Sequence, residues 1–269
     1  MNSFFIQPTI ADKTRDILAD QLRQASQKTR VEAEVWHTAD IRQGLQTALA
    51  QTSPTIVAVG SRTWFDRIIT ATHSLKASDL PAFAFIPFDT TRLHPLSPFI
   101  IRRGVNAAIG SLAARKVSHL TIFQVNNSLF TETCSIGQAE SRGTFLAKLS
   151  LLLNNGNLTA SSQASRIDLS LIESIQDEAP LLRLGIRSEL INQSVSPSKA
   201  GLLPDKRTSL KTHRFEDALH IPIEKGSLIS TEKLICLSHP EVDVSGTLNF
   251  QPYPKKLKFI TSKNQPIRY

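Results

Sequence analysis

Glycine is scarce where a phosphate-binding protein would need it. The chain has 269 residues and 11 glycines. After the apolar run at 55–59, where an α/β protein crowds its glycines, it reads Val57-Ala58-Val59-Gly60-Ser61-Arg62-Thr63-Trp64. Glycines let a turn approach an anion closely and reach positive φ, so a single Gly60 argues against an ordinary phosphate cradle. Cysteine is nearly missing too. Cys134 and Cys236 lie far apart in sequence without metal-ligand spacing; neither a zinc site nor a disulfide framework is expected, and a reducing cytoplasm fits. His37, His73, His94, His119, His213, His220 and His239 show neither HxxxH nor HExxH spacing, which sets metal binding aside. No apolar run approaches the roughly 18 residues of a membrane-spanning helix, and MNSFFIQPTIADKTR lacks the basic-then-apolar order of a signal peptide. A soluble protein, at most peripheral to a membrane, is expected. Repeats and low-complexity tracts are absent.

Positive charge is what the chain has in excess. Lysine and arginine number 31 against 23 acidic residues, a net +8 with a sequence pI near 9.7, a balance that favours lipid headgroups, nucleotides or nucleic acid. The clearest clusters are Arg102-Arg103, Arg115-Lys116 and Lys255-Lys256-Leu257-Lys258; their scatter equally fits a basic solvated surface. Tyr253-Pro254-Lys255-Lys256-Leu257-Lys258-Phe259 reads as a strand with one apolar and one basic face. Nucleic acid is therefore placed behind a nucleotide or an anionic membrane surface as the expected partner, with a protein partner or homodimer as further readings.

With 41% hydrophobic residues the chain can build one large core or two modest ones, and a change of texture near residue 120 favours two. Before it, strands at 3–8, 30–37, 55–59 and 81–87 alternate with helical patterns at 12–27, 41–49 and 65–75, which predicts a parallel, crossover-connected sheet. Beyond it, a hairpin about Asn126-Asn127 and short strands at 166–172, 181–186, 219–222, 233–238, 246–251 and 257–261 predict a mainly antiparallel second domain. The Leu-rich stretch 143–153 is predicted as a helix, and 154–165 and 194–212 as long loops.

An apolar strand, a glycine and then an amphipathic helix is the arrangement that presents backbone N–H groups to an anion. Ser61 stands where a hydrolase nucleophile would, yet GSRTW lacks the GxSxG elbow, so a turn serine is expected. Asp66 and Asp89 are the carboxylates on the candidate loops, with helix-surface or Asx-turn roles expected. Trp64 is expected to pack over the loop or fill the space a phosphate would use. Arg62, Arg67 and Arg92 either ring that space with positive charge or form surface ion pairs.

Taken in order, these segments resemble the catalytic unit of diacylglycerol kinases and their bacterial lipid-kinase and sphingosine-kinase relatives, a group that shares a two-domain architecture with NAD kinases. The resemblance runs from Phe4 to about Lys263. Ile6-Gln7-Pro8-Thr9-Ile10-Ala11 corresponds to the NPxSG-like turn, and Val57 to Arg67 to VAVGGDGTLNE. Ile86-Pro87-Phe88-Asp89-Thr90-Thr91-Arg92-Leu93 corresponds to IPLGTGND, Ser135-Ile136-Gly137-Gln138-Ala139 to the SIGFDA region, and Val244-Ser245-Gly246-Thr247 to the VDGE-type strand end. It implies a Rossmann-like α/β domain at 1–118, to which 255–269 returns, and a β-sandwich domain at 119–254, with ATP and Mg²⁺ as cofactors.

The resemblance assigns the phosphate turns to Gly60, Ser61, Arg62, Thr63, Thr90, Thr91 and Arg92. Arg62 replaces the metal-linked aspartate, and Ser245 and Thr247 replace the later acids. Arginine cannot ligate Mg²⁺, although its fork pairs well with phosphate. With the acid and glycine stations lost together, little of what phosphoryl transfer needs remains. The expectation is a non-catalytic member of the family that binds a nucleotide, an anionic lipid or a protein partner, using the cleft between its domains or its surface. The alternative is an active ATP-dependent lipid kinase.

Overall fold

Five buried residues, Asn2–Ile6, form the first strand, β1, in the computed structural model. The structure describes residues 1–37, 40–75, 80–87, 104–114, 116–138, 145–153, 156–172, 180–187, 196–197, 219–237 and 246–261. The chain divides into two units, one of Met1–Leu120 together with the segment beginning at Lys256, the other of Thr121–Lys255.

In the first unit β1 is followed by α1 (Asp12–Lys28), β2 (Ala33–Trp36), α2 (Ile41–Leu49), β3 (Thr55–Gly60), α3 (Arg62–Leu75), β4 (Ala82–Pro87), α4 (Gly104–Ala114) and β5 (Val117–Leu120). Every residue of β3 is buried, as a strand covered on both faces requires. One face of the sheet sets Phe4, Ile6, Val57, Val59, Ala84 and Ile86 against Leu18, Leu22 and Ala25 of α1 and Ile109 and Leu112 of α4. Residues of opposite parity form the other face. There Phe65 of α3 stacks on Phe85 at 5.3 Å and meets Phe83 edge-on at 6.4 Å, and Phe5 stacks on Trp36 at 6.3 Å. Helix α4 had no counterpart in the sequence reading.

Helix α2 starts at a proper cap, the Asp40 carboxylate accepting from the N–H groups of Arg42 and Gln43 at 3.0 and 3.3 Å, which satisfies donors with no intrahelical partner. It approaches the sheet closely. A Cβ on Gly44 would lie 2.9 Å from both Phe5 and Trp36 ring carbons, so Gly44→Ala is expected to cost about 1–3 kcal/mol through overpacking. Urea unfolding of that variant checks the contact.

The second unit comprises β6 (Phe123–Val125), β7 (Ser128–Phe130), β8 (Thr133–Gln138), β9 (Phe145–Leu153), β10 (Gly156–Ala164), β11 (Arg166–Ile172), β12 (Leu181–Arg187), β13 (Ser196–Pro197), β14 (Leu219–Ile223), β15 (Lys225–Ser230), β16 (Leu234–Cys236) and β17 (Thr247–Pro252). A final strand, β18 (Leu257–Ile260), belongs to the sheet of the first unit, whose order is β2-β1-β3-β4-β18-β5. Strand β18 runs parallel to β4 and antiparallel to β5, so this mainly parallel sheet ends in an antiparallel edge.

The second unit holds two antiparallel sheets, ordered β13-β10-β9-β15-β17-β6-β7 and β14-β12-β11-β8-β16. Phe145, Ala147, Leu149 and Leu151 of the first pack into one core with Ile136, Ile167, Leu169 and Leu184 of the second, a β-sandwich. The hairpin about Asn126-Asn127 forms as β6 and β7, with Val125 opposite Ser128. Cys134 and Cys236, remote in sequence, meet inside this core as thiols not joined in a disulfide, with sulfurs 3.6 Å apart.

Two expectations are overturned here. Residues 145–153 are strand, not helix, because the burial of Phe145–Leu153 alternates residue by residue up to Leu151, a period of two that no helix produces. Residues 156–164 are strand, not loop, because they pair along their whole length with β9, from Gly156 opposite Leu153 to Ala164 opposite Phe145. Polar side chains on the outer face of β10 hid it. Within 194–212, Ser196–Pro197 pairs with β10, and the rest lies outside the described residues. Among the described residues no helix is long and apolar enough to cross a membrane.

Candidate functional site

Strands β1 and β3 are parallel neighbours, with Ile6 opposite Val59, so Gln7, just past β1, and Gly60-Ser61, at the end of β3, leave the sheet side by side. Here α3 begins, and an anion would meet its unpaired N–H groups. The chain's own side chains have taken these positions. The Ser61 N–H donates to Gln7 Oε1 at 2.7 Å, and the Trp64 N–H donates to Ser61 Oγ at 3.2 Å. Ser61 is thus the helix cap, an ordinary role for serine at this place. Gln7 is held from its other side, its Nε2 donating to Thr9 Oγ1 at 2.8 Å.

Gly60 is required in this turn by its neighbour. Its φ is +155°, and a Cβ there would lie 2.5 Å from Gln7 Oε1 and 2.7 Å from Gln7 Cβ. The missing side chain makes room for the glutamine. Trp64 is buried at 4% exposure, and its indole Nε1 donates to the Phe5 carbonyl at 2.9 Å, tying α3 to β1. Arg67 lies over the Trp64 ring at 5.8 Å, a cation–π contact.

Arg62 and Thr63 are half-buried in the first turn of α3, and Arg67 is exposed one turn on. Asp66 is buried at 2% exposure, which corrects its expected place on the helix surface; the inward stripe of α3 runs through Trp64, Phe65, Asp66, Ile68, Ile69 and Thr72. Asp89, Thr90, Thr91 and Arg92, expected as a second phosphate turn, lie outside the described residues, as does Ser245. In the second unit Gly246 adopts φ +81°, and Thr247 follows as an exposed residue opening β17. Ser135 lies on β8, its hydroxyl donating to Asp168 Oδ1 at 2.6 Å.

Arg62 supplies no ligand for Mg²⁺ here: magnesium asks for oxygen ligands in near-octahedral array, whereas Arg62 offers only donors. Sequence reasoning missed Gln7. The available signal was its place one residue beyond an apolar strand expected to lie next to 55–59.

No family model matches the sequence, and no curated protein matches it. Solved structures do match. A diacylglycerol kinase from Bacillus anthracis str. Sterne superposes with a TM-score of 0.62 at 10% identity, covering 97% of each chain. An NAD kinase from Archaeoglobus fulgidus, solved with ATP, gives a TM-score of 0.57 at 12% identity over 98% of this chain and 94% of its own. Yeast NADH kinase, solved with NADH, gives 0.52 at 12% identity over 98% and 84%. Identity this low speaks to architecture alone: the chain has the two-unit fold of the diacylglycerol kinase and NAD kinase structures.

Proposed function

We propose that this protein is a non-catalytic relative of the lipid kinases, which binds an anionic membrane surface and does not transfer phosphate from ATP. The observation that carries this reading is the closed turn: Gln7 Oε1 sits on the Ser61 N–H at 2.7 Å, where a phosphate oxygen would have to bind. Arg62 supports it by standing at the position of the metal-linked aspartate. The membrane partner is favoured by the net charge of +8 and by the exposure of Lys255, Lys256 and Lys258, each basic residue near an acidic leaflet contributing about 1 kcal/mol of attraction.

The test combines turnover and binding on the purified chain. With ATP, Mg²⁺ and a panel of lipids carrying free hydroxyls, phosphoryl transfer is expected to stay at the no-protein blank, and ATP is expected to leave the Tm unchanged. Vesicles containing phosphatidylserine should bind the protein in a salt-sensitive way, and pure phosphatidylcholine vesicles should not. Turnover abolished by mutating Asp66 or Asp89 would establish the active lipid kinase instead. Gln7→Ala separates the cap from the lost acid: ATP should then raise the Tm while turnover stays absent.

A further inference from the structure

On the outer face of the five-stranded sheet, two arginines stand where sheet chemistry disfavours them. Arg166 of β11 is directly opposite Arg187 of β12, and like charges in that position repel. One carboxylate serves both. Asp168 Oδ1 accepts from Arg166 Nε at 2.7 Å, and Asp168 Oδ2 lies 3.6 Å from Arg187 Nε. The Ser135 hydroxyl completes the cluster, donating to Asp168 Oδ1 at 2.6 Å and accepting from Arg166 Nη2 at 2.7 Å.

A third arginine shares the face. Arg183 lies four residues before Arg187 on β12, opposite Ser170, and is exposed. Gly185, opposite Asp168, places no side chain between them. Residues so spaced are about 13 Å apart along a strand, a span that two extended arginines close from either end. Three arginines against one carboxylate leave an excess of two positive charges. Arg166 is fixed by its bonds to Asp168 and Ser135. Arg187 is held only through Nε, and among the described residues its terminal nitrogens and the whole Arg183 guanidinium have no hydrogen-bond acceptor.

The geometry points to an anion site: Arg187 and Arg183, with Arg166 opposite Arg187, bind a dianionic phosphate group. A guanidinium fork takes two phosphate oxygens at once, and a dianion matches the excess of two charges. Asp168 sets the orientation of Arg166 and Arg187, while the ligand relieves the repulsion between them. The site lies wholly in the second unit and does not depend on whether the first unit transfers phosphate. Its phosphate can be free or can be the monoester headgroup of a lipid.

Titration calorimetry and thermal shift with inorganic pyrophosphate test the site, and flotation with phosphatidylcholine vesicles, with or without phosphatidic acid, tests the source. Pyrophosphate is expected to raise the Tm, and Arg187→Ala and Arg183→Ala should each weaken binding about tenfold, with Arg187→Lys intermediate because it keeps the charge but loses the fork. Both positions are exposed, so circular dichroism should show the folded state intact. Lys13→Ala, a basic change on α1 of the first unit, should leave pyrophosphate affinity unchanged. Phosphatidic acid vesicles that lose binding in the same arginine variants would identify a lipid headgroup, and pyrophosphate binding alone a soluble phosphate; both support the site. No pyrophosphate binding, or binding that Arg187→Ala and Arg183→Ala leave untouched, would overturn it.

Discussion

Trp64→Ala is expected to destabilise the first unit by about 3–5 kcal/mol, the range for truncating a buried tryptophan. The side chain is 4% exposed, and Nε1 reaches the Phe5 carbonyl at 2.9 Å, so the variant loses packing and a buried hydrogen bond together. Trp64→Phe divides the two losses: most of the apolar contact stays, the donor goes, and a cost of about 1 kcal/mol follows. The readout is urea unfolding by circular dichroism, since Trp64 is itself a fluorophore. With two units present the transitions need not coincide; the first unit's transition should move and the other stay. If both variants were neutral, Trp64 would face solvent and the account of the turn would fail.

That same residue ties stability to the proposed closure of the turn. A tryptophan at the third position of α3, bonded to β1, fixes where the helix begins, and Ser61 and Gln7 then satisfy N–H groups that a phosphate would otherwise take. Satisfying helix-end donors is worth about 1 kcal/mol per cap. A bound nucleotide would have to displace Gln7 and leave its amide seeking new partners. The side chains along this turn therefore support one another as a self-contained structural solution, which no one of them conveys alone.

Much of the first sheet was legible because β1, β3 and β4 are buried on both faces. Residues 55–60 and 82–87 are apolar runs bounded by Pro54 and Pro81, and nothing in solvent competes to disguise them. The closed turn was legible only in part. Ser61 as a turn residue and Trp64 packing at the loop follow from local pattern, whereas the role of Gln7 depends on β1 lying beside β3, a relation between residues 54 positions apart. Arg166, Arg187 and Arg183 carried no signal at all, because their juxtaposition exists only in the β11–β12 register.

The second large effect turns on the stretch whose leucines suggest a helix. In β9 the buried positions are Phe145, Ala147, Leu149 and Leu151, and the exposed ones Leu146, Lys148 and Ser150. Counting leucines obscures this; following parity restores it, because Lys148 and Ser150 fall on the face that Leu149 avoids. Leu149→Asp should therefore bury an unpaired carboxylate in the middle of the sandwich. It is expected to cost more than about 4 kcal/mol, enough to unfold the second unit at room temperature. The adjacent Ser150→Asp places the same charge in solvent beside Lys148, and its cost should stay within about 1 kcal/mol, the span of strand propensity. A helix would set residues 149 and 151 on nearly opposite sides, about 200° apart, so a cost for Leu151→Asp as large as that for Leu149→Asp marks the strand. Equal effects at 149 and 150, measured by the amplitude of the second unfolding transition, would refute the strand and with it the central register of the seven-stranded sheet, where Leu149 lies between Ala160 and Leu228.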